Sequence, residues 1–249
     1  MTAYVIADLH LSAEAPELTD AFRKFADTVS GDDELYIVGD LFNYYVGINP
    51  ENPAHKAVRE VNSSICSRGG RVYFIHGNRD FLLNRKDALF FRMVLLNDVH
   101  QLVFGDMRIL MVHGDELCDE TVGYRCFRLF SRLSCVQCMF NTLFSYRHRI
   151  GMAQKMRAKS IKNFEAANYV RRMINPVKTL SFMKKYGVSV LIHGHTHNAE
   201  ELRPDDRYLI VDTGDWTSSG FSFVKIEYGN ATPGNNVVIS LERRKISGR

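Results

Sequence analysis

The chain has 249 residues, 45% apolar and 24% charged, the balance of a soluble globular protein and not of a disordered chain or a fibrous repeat. Its net charge of +4 conceals an asymmetry: residues 121–175 hold eleven Lys and Arg against the single acid Glu165, a local +10, which leaves the remainder at −6. No apolar run approaches the roughly 20 residues that span a bilayer, and Asp8 interrupts the N-terminal run Ala3 to Ala7, so neither a spanning helix nor a signal peptide is expected.

In chain order, short β-branched and aromatic runs alternate with helical patterns. Tyr4-Val5-Ile6 leads into Asp8, and Leu35-Tyr36-Ile37-Val38 into Gly39-Asp40. Val72-Tyr73-Phe74-Ile75 leads into His76-Gly77-Asn78, and Ile109-Leu110-Met111-Val112 into His113-Gly114-Asp115. Val188-Ser189-Val190-Leu191-Ile192 leads into His193-Gly194-His195. Runs this apolar, closed by turn residues, predict strands buried on both faces. Between them, Leu18, Ala21, Phe22 and Phe25, then Val58, Val61 and Ile65, recur at helical spacing. Gly105-Asp106 predicts a hairpin turn. Alternation around Tyr208 to Val211 and Phe221 to Ile226, with turns at Pro204-Asp205-Asp206 and Gly229-Asn230, predicts a β-rich C-terminal part.

Residues 121–175 differ in kind. Phe127, Phe130 and Leu133, then Phe140, Leu143 and Phe144, follow helical spacing with arginines between them, and Ile150 to Met173 predicts a second helix. Asn175-Pro176 fits a helix boundary with proline at the first helical position. We read 1–120 and 176–249 as an α/β body and 121–175 as a basic helical cap inserted in it. Such a segment is either a solvated helix face or a surface for an anionic partner. The aromatic and Met side chains beside the charges favour a lipid- or ligand-binding surface. Cys135-Val136-Gln137-Cys138 has no second pair and reads as packed thiols on a helix. Together with Cys66, Cys118 and Cys126 it makes five thiols expected to be reduced, Cys118 packing beneath the strand ends.

The chemistry is concentrated where the predicted strands end. Asp8-Leu9-His10, Gly39-Asp40, Gly77-Asn78-Arg79-Asp80, His113-Gly114-Asp115 and Gly194-His195-Thr196-His197 each offer metal-ligating side chains. The carboxyl ends of strands are where open α/β sheets bind ligands, and alternate residues leaving a strand, such as Asp8 and His10, can share one ion. Carboxylate, amide and imidazole together suit Mn²⁺, Fe²⁺ or Zn²⁺ and are too rich in nitrogen for a calcium cage.

This order of motifs resembles the calcineurin-like metallophosphoesterase superfamily. The resemblance implies an α/β fold, a four-layer α/β/β/α sandwich, with two divalent metal ions, Mn²⁺ foremost. It implies that Asp8, His10, Asp40 and His197 hold one ion, that Asp40 bridges, and that Asn78, His113 and His195 complete the second site. Longer stretches resemble one family within it, the UDP-2,3-diacylglucosamine hydrolases of lipid A biosynthesis. These are Asp8-Leu9-His10-Leu11-Ser12, Gly39-Asp40-Leu41-Phe42, His76-Gly77-Asn78-Arg79-Asp80-Phe81-Leu82, His113-Gly114-Asp115-Glu116-Leu117-Cys118, Met156-Arg157-Ala158-Lys159-Ser160 and Leu191 to His197, and the likeness runs to about Trp216.

That narrower resemblance implies hydrolysis at the α-phosphorus of UDP-2,3-diacylglucosamine to UMP and 2,3-diacylglucosamine 1-phosphate (lipid X). Asn78, Arg79 and His195 would act in catalysis and, with Ser160, contact the acylated nucleotide sugar. The cap would hold the lipid and meet an anionic membrane surface, on the cytoplasmic side of the inner membrane of a Gram-negative bacterium. No nucleic acid is expected, because no reading motif accompanies the basic segment. The chain also departs from the family. Tyr45 and Gly47-Ile48-Asn49 replace a Trp and a Gly-Asp-Asp, Thr121 stands for a substrate-contacting Asp, Phe164 and Ala167 for an Asn and a Lys, and Asn198-Ala199 for Arg-Pro. These departures leave an alternative: a related capped metallophosphoesterase with another phosphodiester or pyrophosphate substrate.

Overall fold

The computed structural model describes residues 2–104, 107–119, 126, 129–131, 133–166, 173–228 and 237–246, with 134 and 157–166 described by backbone only. Two sheets face each other. The first has the order β11-β10-β1-β2-β3-β4, formed by β1 (Thr2–Ile6), β2 (Glu34–Val38), β3 (Arg71–Ile75), β4 (Val94–Leu95), β10 (Gly220–Tyr228) and β11 (Val237–Lys245). The second has the order β5-β6-β7-β9-β8, formed by β5 (Val99–Phe104), β6 (Met107–Val112), β7 (Val190–His193), β8 (Glu200–Asp205) and β9 (Tyr208–Asp212). β1, β2 and β3 run parallel, as do β6, β7 and β9. Helices α1 (Pro16–Ala26), α2 (Pro53–Ser67) and α3 (Arg85–Phe90) cover the outer face of the first sheet, and α6 (Pro176–Tyr186) that of the second.

The strand runs carry no polar face because each strand is buried on two sides. Tyr4, Ile6, Leu35 and Ile37 enter the cluster beneath α1 and α2, with Phe22, Phe25 and Val58. Their neighbours Val5, Tyr36 and Val38 meet Ile109, Met111 and Ile192 between the sheets. Leu110, Val112 and Leu191 then turn outward to Met183 of α6, where Cys118 also packs. Three apolar layers between four structural layers make the expected α/β/β/α sandwich.

Local expectations fared unevenly. β5 and β6 pair antiparallel up to Phe104 opposite Met107, as a hairpin requires, while Gly105-Asp106 and Gly229-Asn230 lie outside the described residues. Asn175 caps α6, its side chain accepting from the Lys178 N–H with Pro176 behind it. The turn expected at Pro204 falls at 206–207 instead; Pro204 belongs to β8, an edge strand where a missing N–H costs little. α3 was not read from the sequence, although Asn84 and Asp87 form a reciprocal capping box at its start. Cys135 and Cys138 are exposed on α4 (Ser134–Leu143), which corrects the reading of them as packed thiols. All five cysteines are free.

α4 and α5 (Tyr146–Ala166) stand in the chain between β6 and α6. They reach the body at the strand-end side. Phe140, Tyr146, Ile150 and Ala153 pack on the outer cluster, Gln137 Nε2 donates to the Phe81 carbonyl at 2.8 Å, and Arg149 Nη1 donates to the Val46 carbonyl at 2.5 Å and to Asn141 Oδ1.

Candidate metal centre

The parallel strands β1, β2, β3, β6 and β7 all end on one side, and the ligand candidates follow those ends. The loops are stitched together by backbone. Asp8 N–H donates to the Gly39 carbonyl at 3.1 Å, His10 N–H to the Asp40 carbonyl at 3.0 Å, and Gly194 N–H to the His113 carbonyl at 2.9 Å. Asp8 (φ 54), His10 (φ 51), Asp40 (φ 53), His195 (φ 70) and His197 (φ 60) adopt left-handed backbone. Among the described non-glycine residues only Arg92 joins them. Such conformations cost about 1–3 kcal/mol each and persist where surroundings impose them, most often at functional sites.

Two glycines admit the carboxylates. A Cβ on Gly77 would collide with Asp40 Oδ1, and one on Gly194 with Asp8 Oδ2. Asp80, fully buried, accepts from the N–H groups of Leu41 (2.7 Å), Gly77 (2.8 Å) and Asp40 (3.3 Å), and so ties the end of β2 to the end of β3.

Among the described residues, two groups of side chains could hold an ion, Asp8–His10–His197 and Asp8–Asp40–His113. In the first, His10 Nε2 and His197 Nε2 are 3.3 Å apart, and Asp8 Oδ1 lies 3.3 Å from the latter and 3.9 Å from the former. In the second, His113 Nε2 is 3.7 Å from Asp40 Oδ1. Beside it, Asn78 Oδ1 stands 3.0 Å from both His113 Nε2 and His195 Nδ1. Asp40 Oδ2 turns the other way, 4.0 Å from His10 Nδ1 and 3.1 Å from Arg79 Nε. Thus all seven expected ligands and Arg79 meet in one cluster.

Ser160 lies on α5 with its side chain outside the described residues, as does that of Phe164, and Thr121 and Ala167 lie outside them altogether. The sequence reading gave no role to Asp80 or to Asp215, whose Oδ2 is 3.3 Å from His197 Nδ1. Gly214-Asp215 follows a strand just as Gly39-Asp40 does, and that repetition was the available signal.

The electrostatics fit divalent cations. Asp8 Oδ1 and His10 Nδ1 are buried without a hydrogen bond, which is costly unless something else satisfies them. Burial would raise the Asp8 carboxyl, but neighbouring His197, His113 and His10 hold it below the usual carboxylate range. Burial, together with Asp8 and Asp80, lifts Asp40 to about 7 against the pull of His113. His113 rises to about 9 because Asp40, Asp8 and Asp115 outweigh its burial, and His197 rises to about 10 because the Asp215 and Asp8 carboxylates beside it outweigh its own. Burial and the His113 charge push His195 down to about 3. Burial and Arg79 also push His10 well down. Without ions, protons on some imidazoles neutralise the carboxylates. This is the charge pattern of a site built around cations.

The fold and this centre define a metallophosphoesterase: the chain belongs to the calcineurin-like phosphoesterase family, which matches residues 1–199. It is 34% identical over 226 residues to a UDP-2,3-diacylglucosamine hydrolase of Haemophilus influenzae (strain PittGG), covering 90% of this chain and 94% of that one. To the protein of that name from Escherichia coli O7:K1 (strain IAI39 / ExPEC) it is 37% identical over 231 residues, covering 91% and 95%. Within the wider family, the chain is therefore a member of the UDP-2,3-diacylglucosamine hydrolases. Among solved structures it is similar to Vps29 of Chaetomium thermophilum, at 14% identity, TM-score 0.48 and coverage of 99% and 100%.

Proposed function

We propose that the chain hydrolyses the diphosphate of UDP-2,3-diacylglucosamine to UMP and 2,3-diacylglucosamine 1-phosphate, with two divalent ions, Mn²⁺ foremost. The observation that carries this reading is the convergence of seven side chains from five strand ends, with buried lone pairs facing one another across about 3–4 Å. Asp8, His10 and His197 would hold one ion, Asn78, His113 and His195 the other, and Asp40 would be shared by both. The chemistry that the ions supply when bound is Lewis acidity toward the phosphoryl oxygens and a lowered pKa for the attacking water.

The chain's own groups do the rest. Arg79 is fixed by Asp40 through Nε and by Asn43 Oδ1 through Nη1 at 3.2 Å. Its Nη2 is left to donate to an oxygen of the phosphoryl group as charge builds there. Asn78 and His195 border the same space and orient those oxygens. Ser160, on α5, would contact the sugar head group. Residues 121–175 serve as the cap, whose helices border the strand-end side through Gln137 and Arg149.

The cap would also meet an anionic bilayer. Leu129, Phe130, Leu133, Met139 and Leu143 are each at least half exposed, and Arg147 and Lys155 are exposed on α5. No helix among the described residues is long and apolar enough to cross a membrane. The exposed apolar and basic side chains of this segment support peripheral binding at the inner face of a Gram-negative inner membrane.

The test is turnover by protein stripped with chelator and reloaded with Mn²⁺. UMP should appear from UDP-2,3-diacylglucosamine and far more slowly from UDP-glucosamine, because bound acyl chains position the diphosphate. Rapid hydrolysis of soluble phosphodiesters with no action on the acylated substrate would instead mark the alternative specificity that Thr121, Phe164 and Ala167 leave open.

A further inference from the structure

We propose that Asp215 is a positioning residue for the candidate ligand His197, setting the affinity of the ion nearest β1; this rests on the metal reading above. The imidazole of His197 could present either nitrogen to the cluster. Its Nδ1 faces Asp215 Oδ2 at 3.3 Å, whereas its Nε2 faces Asp8 Oδ1 and His10 Nε2, each at 3.3 Å. With an ion held at Nε2, on the side where Asp8 and His10 converge, the proton stays on Nδ1, and the Asp215 carboxylate accepts it in a hydrogen bond and fixes the ring. His113 is oriented in the same way by a different group, its Nδ1–H donating to the Val38 carbonyl at 3.0 Å.

Asp215 is itself held on both sides. Before it, Thr213 N–H donates to the His193 carbonyl at 2.8 Å, and Gly214 N–H to Asp212 Oδ1 at 2.8 Å. After it, Trp216 N–H donates to the Asp8 carbonyl at 3.1 Å, and the buried indole stacks on Phe221 at 4.2 Å. The carboxylate thus sits between two anchors, and one of them reaches the same strand end that carries Asp8. Its side chain is 30% exposed, so shortening it opens no sealed cavity. The role of Asp215 is therefore separable from the stability of the fold.

The experiment titrates metal-free protein with Mn²⁺ by calorimetry, beside the melting temperature of the metal-free form. Asp215→Ala should weaken one of two ions by about 10–100-fold, leave the other within about twofold, and melt with the parent when metal-free. Asp215→Asn, which keeps an acceptor oxygen for Nδ1–H, should recover most of the loss. The proposal is overturned if the Ala variant binds both ions like the parent. It is equally overturned if both variants lose affinity alike while the metal-free form melts lower. A parent protein that takes up no Mn²⁺ refutes the metal reading itself, and this one with it.

Discussion

Asp80→Asn isolates how the centre is held in shape. The carboxylate is fully buried, with Oδ1 accepting from Gly77 and Asp40 and Oδ2 from Leu41 at 2.7 Å. An amide keeps one acceptor oxygen, but its NH₂ group then confronts the Leu41 N–H, or both other donors if flipped. One charge-assisted bond worth about 1.5–3 kcal/mol disappears, and a buried N–H is left unpaired at about 1–3 kcal/mol. Burial raises the Asp80 carboxyl despite the donors and the nearby His113 and His76, so relief of the buried charge offsets part of this loss. A net destabilisation of about 2–4 kcal/mol should lower the melting temperature by roughly 5–15 °C in a chain of this size. Calorimetry in chelator measures this without any contribution from ions. Because Asp80 also fixes the backbone N–H of left-handed Asp40, ion affinity should fall as well. A variant melting within a degree of the parent, or above it, would refute the reasoning, since burial of the charge would then outweigh the three bonds.

Other perturbations test different parts. His55, buried among Phe42, Tyr45 and Phe91 and accepting from the Asn49 N–H at Nδ1, is pushed down to about 4 by burial. Its contribution is fully present above the unfolded-state value near 6.5 and is lost as pH falls toward 4, about 3 kcal/mol in all. Urea titrations across that window should show a shallower acid limb for His55→Phe. With His113 raised to about 9 and His197 to about 10, ions must displace protons at neutral pH. Mn²⁺ should therefore bind more tightly as pH rises from 6 to 9, and calorimetry in buffers of different ionisation heat should detect released protons. Arg147→Glu with Lys155→Glu should reduce sedimentation with phosphatidylglycerol vesicles at low salt. Equal sedimentation would remove the basic face from the membrane reading. Arg79→Ala should lower kcat by about 100-fold or more with both ions retained; unchanged turnover would leave the guanidinium without a catalytic task.

The strands, and the gathering of the candidate ligands at their ends, were legible because both leave clear marks: runs with no polar face, each closed by Gly, Asp, Asn or His. α1 and α2 were legible from Phe22, Phe25 and Val58, which repeat at the helical period and do enter the core. What escaped depends on contacts between distant segments. Nothing in Asp8-Leu9-His10 announces left-handed backbone at both ends, because the conformation is imposed by Gly39 and Asp40 carbonyls from another strand. Asp80 stood in a recognised motif, yet its partners Asp40 and Leu41 are some 40 positions away. Six-residue α3 was too short for periodicity to register, and α4 exposes thiols that aromatic neighbours had suggested were packed.

The centre is assembled from parts made at different times. His10 and His197 are 187 positions apart, so at roughly 5–20 residues per second the ribosome delivers the second some 10–40 s after the first. Meanwhile the nascent chain holds Asp8 and Asp40 without the imidazoles of His113 and His197, and a sheet that closed over them would bury the Asp8 carboxylate without its His197 partner. It also holds Val5, Val38 and Ile75 without the facing strands that cover them. The N-terminal half therefore waits, open and apolar, for β6 and then β7. A chain cut short before His193 should leave Val5, Val38 and Ile75 without the full set of side chains that covers them, and should not fold into a smaller enzyme.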